Sequence, residues 1–179
     1  DYQRAIHTYE LALSLARDKE RGNPDLVAPI HIGLGEAKSA IEDFRGAERD
    51  IRIALQLDIK RAGRTSPAVA RDLEALGLNY LSENRLAEAW PLFERALTIR
   101  IPLQGLAHPR VSEDLNELGS IAYLKRDSRS AEQYWLRTLR SDELVLGPNH
   151  PDVAITINNV ARVMLERREF KQAASLLRR

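Results

Sequence analysis

The fold of this chain is decided by a short stretch, His150-Pro151-Asp152-Val153, that has three earlier counterparts at a nearly fixed spacing. The counterparts are Asn23-Pro24-Asp25-Leu26, Ser66-Pro67-Ala68-Val69 and His108-Pro109-Arg110-Val111. The proline therefore returns every 42 or 43 residues, and an alanine follows each proline by 22 or 23 residues. Those alanines are Ala47, Ala89, Ala131 and Ala173. Self-similarity at this period indicates a stacked repeat protein, in which each unit buries its apolar face against its neighbours.

Each unit is predicted to contain two helices. The segment 67–83 carries one stripe of residues at the helical period. The stripe consists of Leu73, Leu76, Gly77 and Tyr80. A second helix is predicted at 86–101, and the polar residues 82–85 predict a tight turn, so the two helices must be antiparallel neighbours. Small residues at Gly77 and Ala89 are expected to let the paired helices approach closely.

The repeat divides the chain, predicted to be a single solenoid over residues 1–179, into partial and full units. The units are 1–22, a lone second helix; 23–65, 66–107 and 108–149, three full repeats; and 150–179, a truncated repeat. The chain is thus expected to begin and end in mid-repeat. Pro29 lies inside the expected first helix of the first full repeat, so we expect that helix to start near Pro29 or to kink there.

Composition excludes several classes of site and partner. The 179 residues contain no cysteine, which excludes disulfides, thiolate metal sites and a cysteine nucleophile but does not identify the compartment. The formal net charge of +1 gives no whole-chain attraction to nucleic acid or anionic lipid. The sequence contains no run of 18 apolar residues, so it predicts no transmembrane helix.

Two stretches carry a family resemblance. They are Leu144-Val145-Leu146-Gly147-Pro148-Asn149-His150-Pro151-Asp152-Val153-Ala154, followed by Ile157-Asn158-Asn159-Val160-Ala161, and Ala89-Trp90-Pro91-Leu92-Phe93-Glu94-Arg95-Ala96-Leu97. Both resemble the tetratricopeptide repeat, whose usual unit is about 34 residues, in the longer form of kinesin light chains. The resemblance implies an all-α fold, a right-handed α-α superhelix of antiparallel helix pairs. It also implies that the protein is a general protein-binding scaffold and not an enzyme. In such a scaffold the first helices line the concave face.

The first helices supply the candidate partner-binding residues. In light-chain-like repeats, an asparagine pair on the first helix helps to hold the backbone of an extended peptide. The resemblance implies this role for Asn158 and Asn159, and half of it for Asn116. The other candidates share outward positions on the first helices: Glu117, Ser120, Tyr123, Arg162, Glu74 and Leu78. An asparagine amide can donate to and accept from a peptide backbone, and the alternative is a polar face that only water contacts.

The histidines do not form a pattern typical of metal binding or catalysis. His108 and His150 occupy the same repeat position before proline, which predicts a structural role in the loop. His31 falls on a packing stripe and is expected in the interior. No HExxH motif or carboxylate cluster accompanies them, so the sequence predicts no catalytic residue, no metal and no cofactor. Acids interleave with the arginines and no stacking aromatics accompany them, so nucleic-acid binding is not expected.

Two functions are compatible with this pattern. The first is a non-catalytic scaffold that binds a peptide or partner segment in the concave groove, with no nucleic acid or membrane as partner. The alternative is a regulatory or spacer module of a larger enzyme or signalling protein. Self-association is a separate hypothesis, because the helix at 2–20 carries apolar residues without a full set of neighbours. They are Tyr2, Ile6, Tyr9, Leu13 and Leu15.

Overall fold

A computed structural model describes residues 1–18 and 23–178 of the chain. The helices are α1 (Tyr2–Ala16), α2 (Val27–Ala40), α3 (Phe44–Ala62), α4 (Pro67–Ser82), α5 (Leu86–Gln104), α6 (Pro109–Leu124), α7 (Ser128–Leu146), α8 (Pro151–Glu166) and α9 (Phe170–Leu177). A 3-10 turn at Pro24–Leu26 precedes α2, and no strand occurs in the described ranges. The predicted all-α class is confirmed. Within the same ranges, no helix is both long enough and apolar enough to cross a membrane.

The helix boundaries follow the sequence pattern closely. The helix predicted at 67–83 is α4, and the helix predicted at 86–101 is α5, which runs three residues further. Helix α2 begins at Val27, which places Pro29 in its first turn. The N–H groups of a first turn have no partner within the helix, so proline removes no helical hydrogen bond there.

Two kinds of turn connect the helices, and each recurs with a 42-residue spacing. Within a helix pair the turn has three residues, and the φ of its middle residue lies between 58° and 65°. These middle residues are Glu42, Asn84, Arg126 and Arg168. The connection between pairs opens with a glycine at φ 79° to 84°, namely Gly63, Gly105 and Gly147. Such short turns make the paired helices antiparallel, as predicted.

The residue before each repeat proline caps the helix that follows. Ser66 Oγ accepts a hydrogen bond from the N–H of Val69 at 3.4 Å. His108 and His150 each accept through Nδ1, at 3.2 Å, from the N–H two residues further along the chain. Proline needs no partner at the first helical position, since it has no N–H. The two histidines therefore have the structural role that their repeat position predicts.

The chain forms two compact units, Asp1–Ile99 and Arg100–Arg179. In the first unit, α1 packs on α2, α2 on α3 and α3 on α4. Buried members of its core are Val69, Ala70, Leu73, Ala96 and Ile99. In the second unit, α6 packs on α7, α7 on α8 and α8 on α9. Its largest buried side chains are Trp135, Leu115, Leu118, Ile121, Val111 and Val153.

A glycine on each of two first helices lets the second helix of its pair approach closely. At Gly77 a β-carbon would lie 2.8 Å from the ring of Phe93, and at Gly119 it would lie 2.6 Å from the indole of Trp135. Close approach was predicted at Gly77, with Ala89 as the facing group. The nearest group is instead the aromatic ring four residues after that alanine, because the ring fills the space that the glycine leaves open.

Candidate binding face

Predicted ligand residues of the second unit meet around one buried indole. Trp135 of α7 is buried, and its Nε1 donates a hydrogen bond of 3.2 Å to Asn116 Oδ1 on α6. Gly119 lies almost one turn after Asn116 and leaves the space that the indole occupies. The side-chain oxygen of Asn116 is therefore used inside the protein, and its NH₂ group is the part that a ligand could meet.

Tyr123 and Trp135 form an aromatic platform that carries Arg162 of α8. The two ring centroids lie 5.7 Å apart, with an angle of 42° between the ring planes. The guanidinium carbon of Arg162 lies 4.4 Å from the Tyr123 centroid and 5.6 Å from the Trp135 ring. A guanidinium at these distances is attracted by the negative faces of the rings. The platform thereby fixes the direction of a long, exposed cationic side chain.

A second contact joins α6 to α8 beside the platform. The hydroxyl of Tyr123 donates a hydrogen bond of 2.6 Å to Glu166 Oε1. This hydrogen bond is the main cause that raises the pKa of the Tyr123 phenol, since ionisation would remove the donated proton. The phenol therefore stays protonated and keeps α6 and α8 linked at this level.

The predicted asparagine pair of α8 has two different environments. Asn159 is half-buried, and its Oδ1 accepts a hydrogen bond of 3.4 Å from Arg162 Nη2. Asn158 is exposed, and it makes no side-chain hydrogen bond within the described residues. It borders a shallow cavity of about 430 Å³ that is also lined by Arg162 and Leu165. Asn158 is therefore the amide of the pair that is open to a ligand.

The remaining candidates are distributed over both units. Glu117 and Ser120 are half-buried on α6. Glu74 and Leu78 lie on α4 in the first unit, where Leu78 is 43% exposed but Glu74 only 7%. The burial of Glu74 leaves little of its side chain open to a ligand. Residues 72–77 are all buried, which is more than one full turn, so no side of α4 is free over that stretch.

Comparison with known proteins finds a family model that matches the second half of the chain. Residues 109–179 match the sequence model of the tetratricopeptide repeat. This part of the chain carries tetratricopeptide repeats. The human tetratricopeptide repeat protein 19, mitochondrial, is 25% identical over 150 residues, which are 84% of this chain and 37% of that protein. The clustered mitochondria protein of Arabidopsis thaliana is 30% identical over 92 residues, which are 51% of this chain and 6% of that protein. The chain thus spans well under half the length of these curated relatives.

Solved structures superpose on almost the whole of this chain. BtubC (BKLC) from P. vanneervenii superposes with a TM-score of 0.85 at 22% identity, over 99% of this chain and 70% of that chain. A putative kinesin light chain from Podosopora anserina superposes with a TM-score of 0.80 at 17% identity, over 99% and 84% of the two chains. This likeness of fold agrees with the kinesin-light-chain-like form that the sequence resembles.

The repeats of the first unit bury a polar cluster around His31. Its Nδ1 lies 2.9 Å from Asp50 Oδ1, and its Nε2 lies 3.0 Å from the guanidinium of Arg17. Lys38 Nζ donates to Asp50 Oδ2 at 2.6 Å. Burial alone would raise the pKa of Asp50, but the hydrogen bonds from His31 and Lys38 outweigh burial and hold it below its ordinary value. The predicted interior position of His31 is confirmed, and its contacts tie Arg17, just after α1, to α3.

Sequence reasoning missed the buried polar and charged residues that join successive repeats. One position of the second helices holds Asp58, Arg100 and Asp142, and one position of the first helices holds Asp72, Asp114 and Thr156. All six are buried. Their 42-residue spacing could have been found in the sequence, because polar or charged residues recur at the same two positions of successive repeats. In the part of the chain that is described, no group of three or more His, Asp or Glu side chains could hold a metal.

Proposed function

We propose that this chain is a non-catalytic protein-interaction scaffold and that α6 and α8 together bind an extended segment of a partner protein. Tetratricopeptide repeats typically serve as interaction scaffolds, since stacked repeats build extended surfaces. The α6–α8 face consists of Asn116, Glu117, Ser120, Tyr123, Asn158, Asn159 and Arg162. A partner segment on this face would lie across both first helices of the second unit.

The observation that carries the proposal is the fixed position of Arg162 beside an open amide. The aromatic platform and Asn159 restrain the guanidinium, so little side-chain entropy remains to be lost when a ligand binds. Asn158 offers one acceptor and two donors, which is the set that an extended peptide backbone requires. Together they provide directed polar groups beside the cavity next to α8.

The test uses short random peptides displayed on phage and selected on the intact chain. The affinities of the selected peptides are then measured for a triple variant, Asn158→Ala, Asn159→Ala and Arg162→Glu. We expect affinity to fall by about tenfold or more, as is usual when the dominant side chains of an interface are removed. The melting temperature should change little, because Asn158 and Arg162 are exposed.

A matched control carries Gln133→Ala and Arg137→Glu on α7. Arg137 also lies above an aromatic ring, 5.7 Å from Tyr134, but it is not part of the α6–α8 face. The control should retain the peptide affinity of the parent chain. Equal affinity of the triple variant and the parent, or failure to select any peptide, would reject the proposed function.

A second candidate is a regulatory or spacer module within a longer protein. It is favoured by the length of the relatives, since the matched part is 37% of the human protein. A spacer predicts that the triple variant leaves the activity of the full-length protein intact while deletion of the repeats abolishes it.

Self-association through the exposed side chains of Tyr2 and Leu15 on α1 would appear as a concentration-dependent mass in light scattering.

A further inference from the structure

A second cavity lies in the same unit, where α6, α7 and α8 meet near the first turns of α6 and α8. Its volume is about 280 Å³. Its polar lining consists of Ser112, Glu113, Asn116, Thr138, Asp142, Asp152 and Thr156. Leu146 and Ile155 add exposed apolar surface to its walls. Among the described residues that line it, three are acids and none is basic.

The acid at the base of this cleft is a buried carboxylate without a cationic partner. Asp142 is 7% exposed. Its Oδ1 accepts a hydrogen bond from the hydroxyl of Ser112, and its Oδ2 lies 2.9 Å from the Thr156 hydroxyl. Both partners are neutral, and no Lys, Arg or His contacts this carboxylate in the described part of the chain. A carboxylate has about four acceptor positions, so Asp142 can accept further hydrogen bonds.

The other repeats compensate charge at this position from within the chain. Asp58 occupies the same repeat position in α3, and its oxygens lie 3.1 Å from both Arg61 and Arg71. In α5 the position is Arg100, which pairs with Asp114 at 2.5 Å. Burying a charge without an opposite charge is costly. The charge of Asp142 thus lacks the internal opposite charge that its counterparts have, and a cleft opens beside it.

The mouth of the cleft suits a long side chain with a cationic end. Glu113 and Asp152 stand at the rim, and both are exposed. Glu113 also contacts Arg110 at 2.8 Å, and Asp152 lies 3.6 Å from His150 Nδ1, so neither acid is isolated. The stem of a lysine or arginine can lie against apolar surface such as Ile155 while its charged end reaches carboxylates.

We propose that the cleft between α6, α7 and α8 binds a lysine or arginine side chain of the partner segment, with Asp142 as the counter-charge at its base. The inference rests on the proposed function, because it names one chemical requirement of the segment held by the α6–α8 face. Asn116 belongs to both the face and the cleft, so one extended segment can occupy them together. Glu113 and Asp152 attract the cation, and the hydroxyls of Ser112 and Thr156 keep the Asp142 carboxylate in place.

The experiment titrates the intact chain with N-acetyl-arginine amide and, separately, with N-acetyl-citrulline amide, which has the same shape and no charge. Binding is followed by NMR at the Ile155 methyl groups and the Asn116 side-chain amide. The arginine compound should shift both signals, and citrulline should bind at least about tenfold more weakly, as expected when a charged hydrogen bond is lost. Equal binding of the two compounds, or shifts only at distant residues, would overturn the proposal.

Two variants localise the effect. Asp142→Asn keeps the shape of the side chain and should remove the preference for arginine over citrulline. Because Asp142 is buried and the variant could lose stability, Glu113→Gln with Asp152→Asn at the exposed rim provides a second test, with an expected loss of about fivefold. Glu94→Gln on α5 is the control and should bind like the parent chain. Unchanged arginine binding in the rim variant would contradict the proposal.

Phage-selected peptides separate this inference from the proposed function. The inference expects lysine or arginine at one fixed position of the peptides, and a loss of that preference in Asp142→Asn. Peptides that bind through Asn158 and Arg162 without any basic residue would reject the cleft and leave the proposed function standing. Arginine-amide binding without selection of any peptide would reject the proposed function and the partner-segment inference, leaving only small-cation binding at the cleft.

Discussion

Arg100 Nη1 lies 2.5 Å from Asp114 Oδ2, and both side chains are almost completely buried. The same two repeat positions one unit earlier hold Asp58 and Asp72, both 0% exposed. The Arg100–Asp114 junction joins opposite charges. The Asp58–Asp72 junction instead brings two carboxylates to Arg71, whose Nη2 lies 3.1 Å from Asp58 and 2.9 Å from Asp72. The repeats therefore keep one packing arrangement with two different electrostatic balances.

The first prediction concerns Asp72→Asn. Burial raises the pKa of Asp72 to about 6; the Arg71 guanidinium opposes this rise and the Asp58 charge adds to it. Since the folded-state pKa is above the ordinary 3.8, the stability contributed by protonated Asp72 is present below about pH 4 and is lost as the pH rises through 6. A neutral amide avoids this loss, so the variant should be more stable than the parent by up to about 3 kcal/mol at pH 7.5. Urea unfolding of the parent and the variant at pH 4.5 and 7.5 measures this difference in stability.

Asp114→Asn is the matched control for Asp72→Asn. It removes the counter-charge of the buried Arg100, so it should destabilise the chain by about 3 kcal/mol at both pH values. Opposite effects at two equivalent repeat positions would show that the local charge, and not the side-chain shape, decides the outcome. Destabilisation by Asp72→Asn at pH 7.5 would contradict the account of the Asp58–Asp72 junction.

The second prediction reverses the direction of the pH dependence. Asp50 has a pKa below 3.8 because His31 and Lys38 stabilise its charge more than burial opposes it. The contribution of ionised Asp50 to the free energy of unfolding is therefore present above about pH 4 and is lost as the pH falls through the lowered pKa. Asp50→Asn should cost about 3 kcal/mol at pH 7, since it removes the negative charge beside Lys38 and replaces one of the two acceptor oxygens by an NH₂ group. The difference from the parent in urea unfolding should shrink toward pH 3, and a difference that grows on acidification would refute it.

The sequence predicted the helix pairs well, because proline, small residues and apolar stripes act locally on one helix or one turn. It predicted α4 to within one residue, and it placed the capping histidines correctly. It did not predict the burial of Glu74, since a helical period identifies one packed face but not how many sides of a helix are covered. It paired Gly77 with Ala89 because both are small residues that recur with the repeat. The repeat pattern does not show which side chain fills the space between the helices, and here it is the ring of Phe93.

The third prediction concerns the histidine caps. His150 Nδ1 accepts from the N–H of Asp152 at 3.2 Å at the start of α8. His150→Ala leaves that N–H without its acceptor and should cost about 1 kcal/mol, whereas His150→Asn restores a preferred cap and should match or exceed the parent. Thermal unfolding of the two variants, with Asn149→Ala as a neighbouring control, provides the measurement. Equal melting temperatures for the alanine and asparagine variants would show that the cap contributes nothing.

The fourth prediction separates steric contact from backbone strain at two glycines. Gly77→Ala places a β-carbon 2.8 Å from the buried Phe93 ring and should destabilise by about 1–3 kcal/mol through overpacking. Gly63→Ala meets no atom within 4 Å, but its φ of 84° disfavours any side chain, which also costs about 1–3 kcal/mol. Phe93→Leu replaces the ring by a smaller side chain, so it should reduce the cost of Gly77→Ala and leave that of Gly63→Ala unchanged. Double-mutant cycles by urea unfolding test this, and strict additivity at Gly77 would mean that the ring is not what excludes a side chain there.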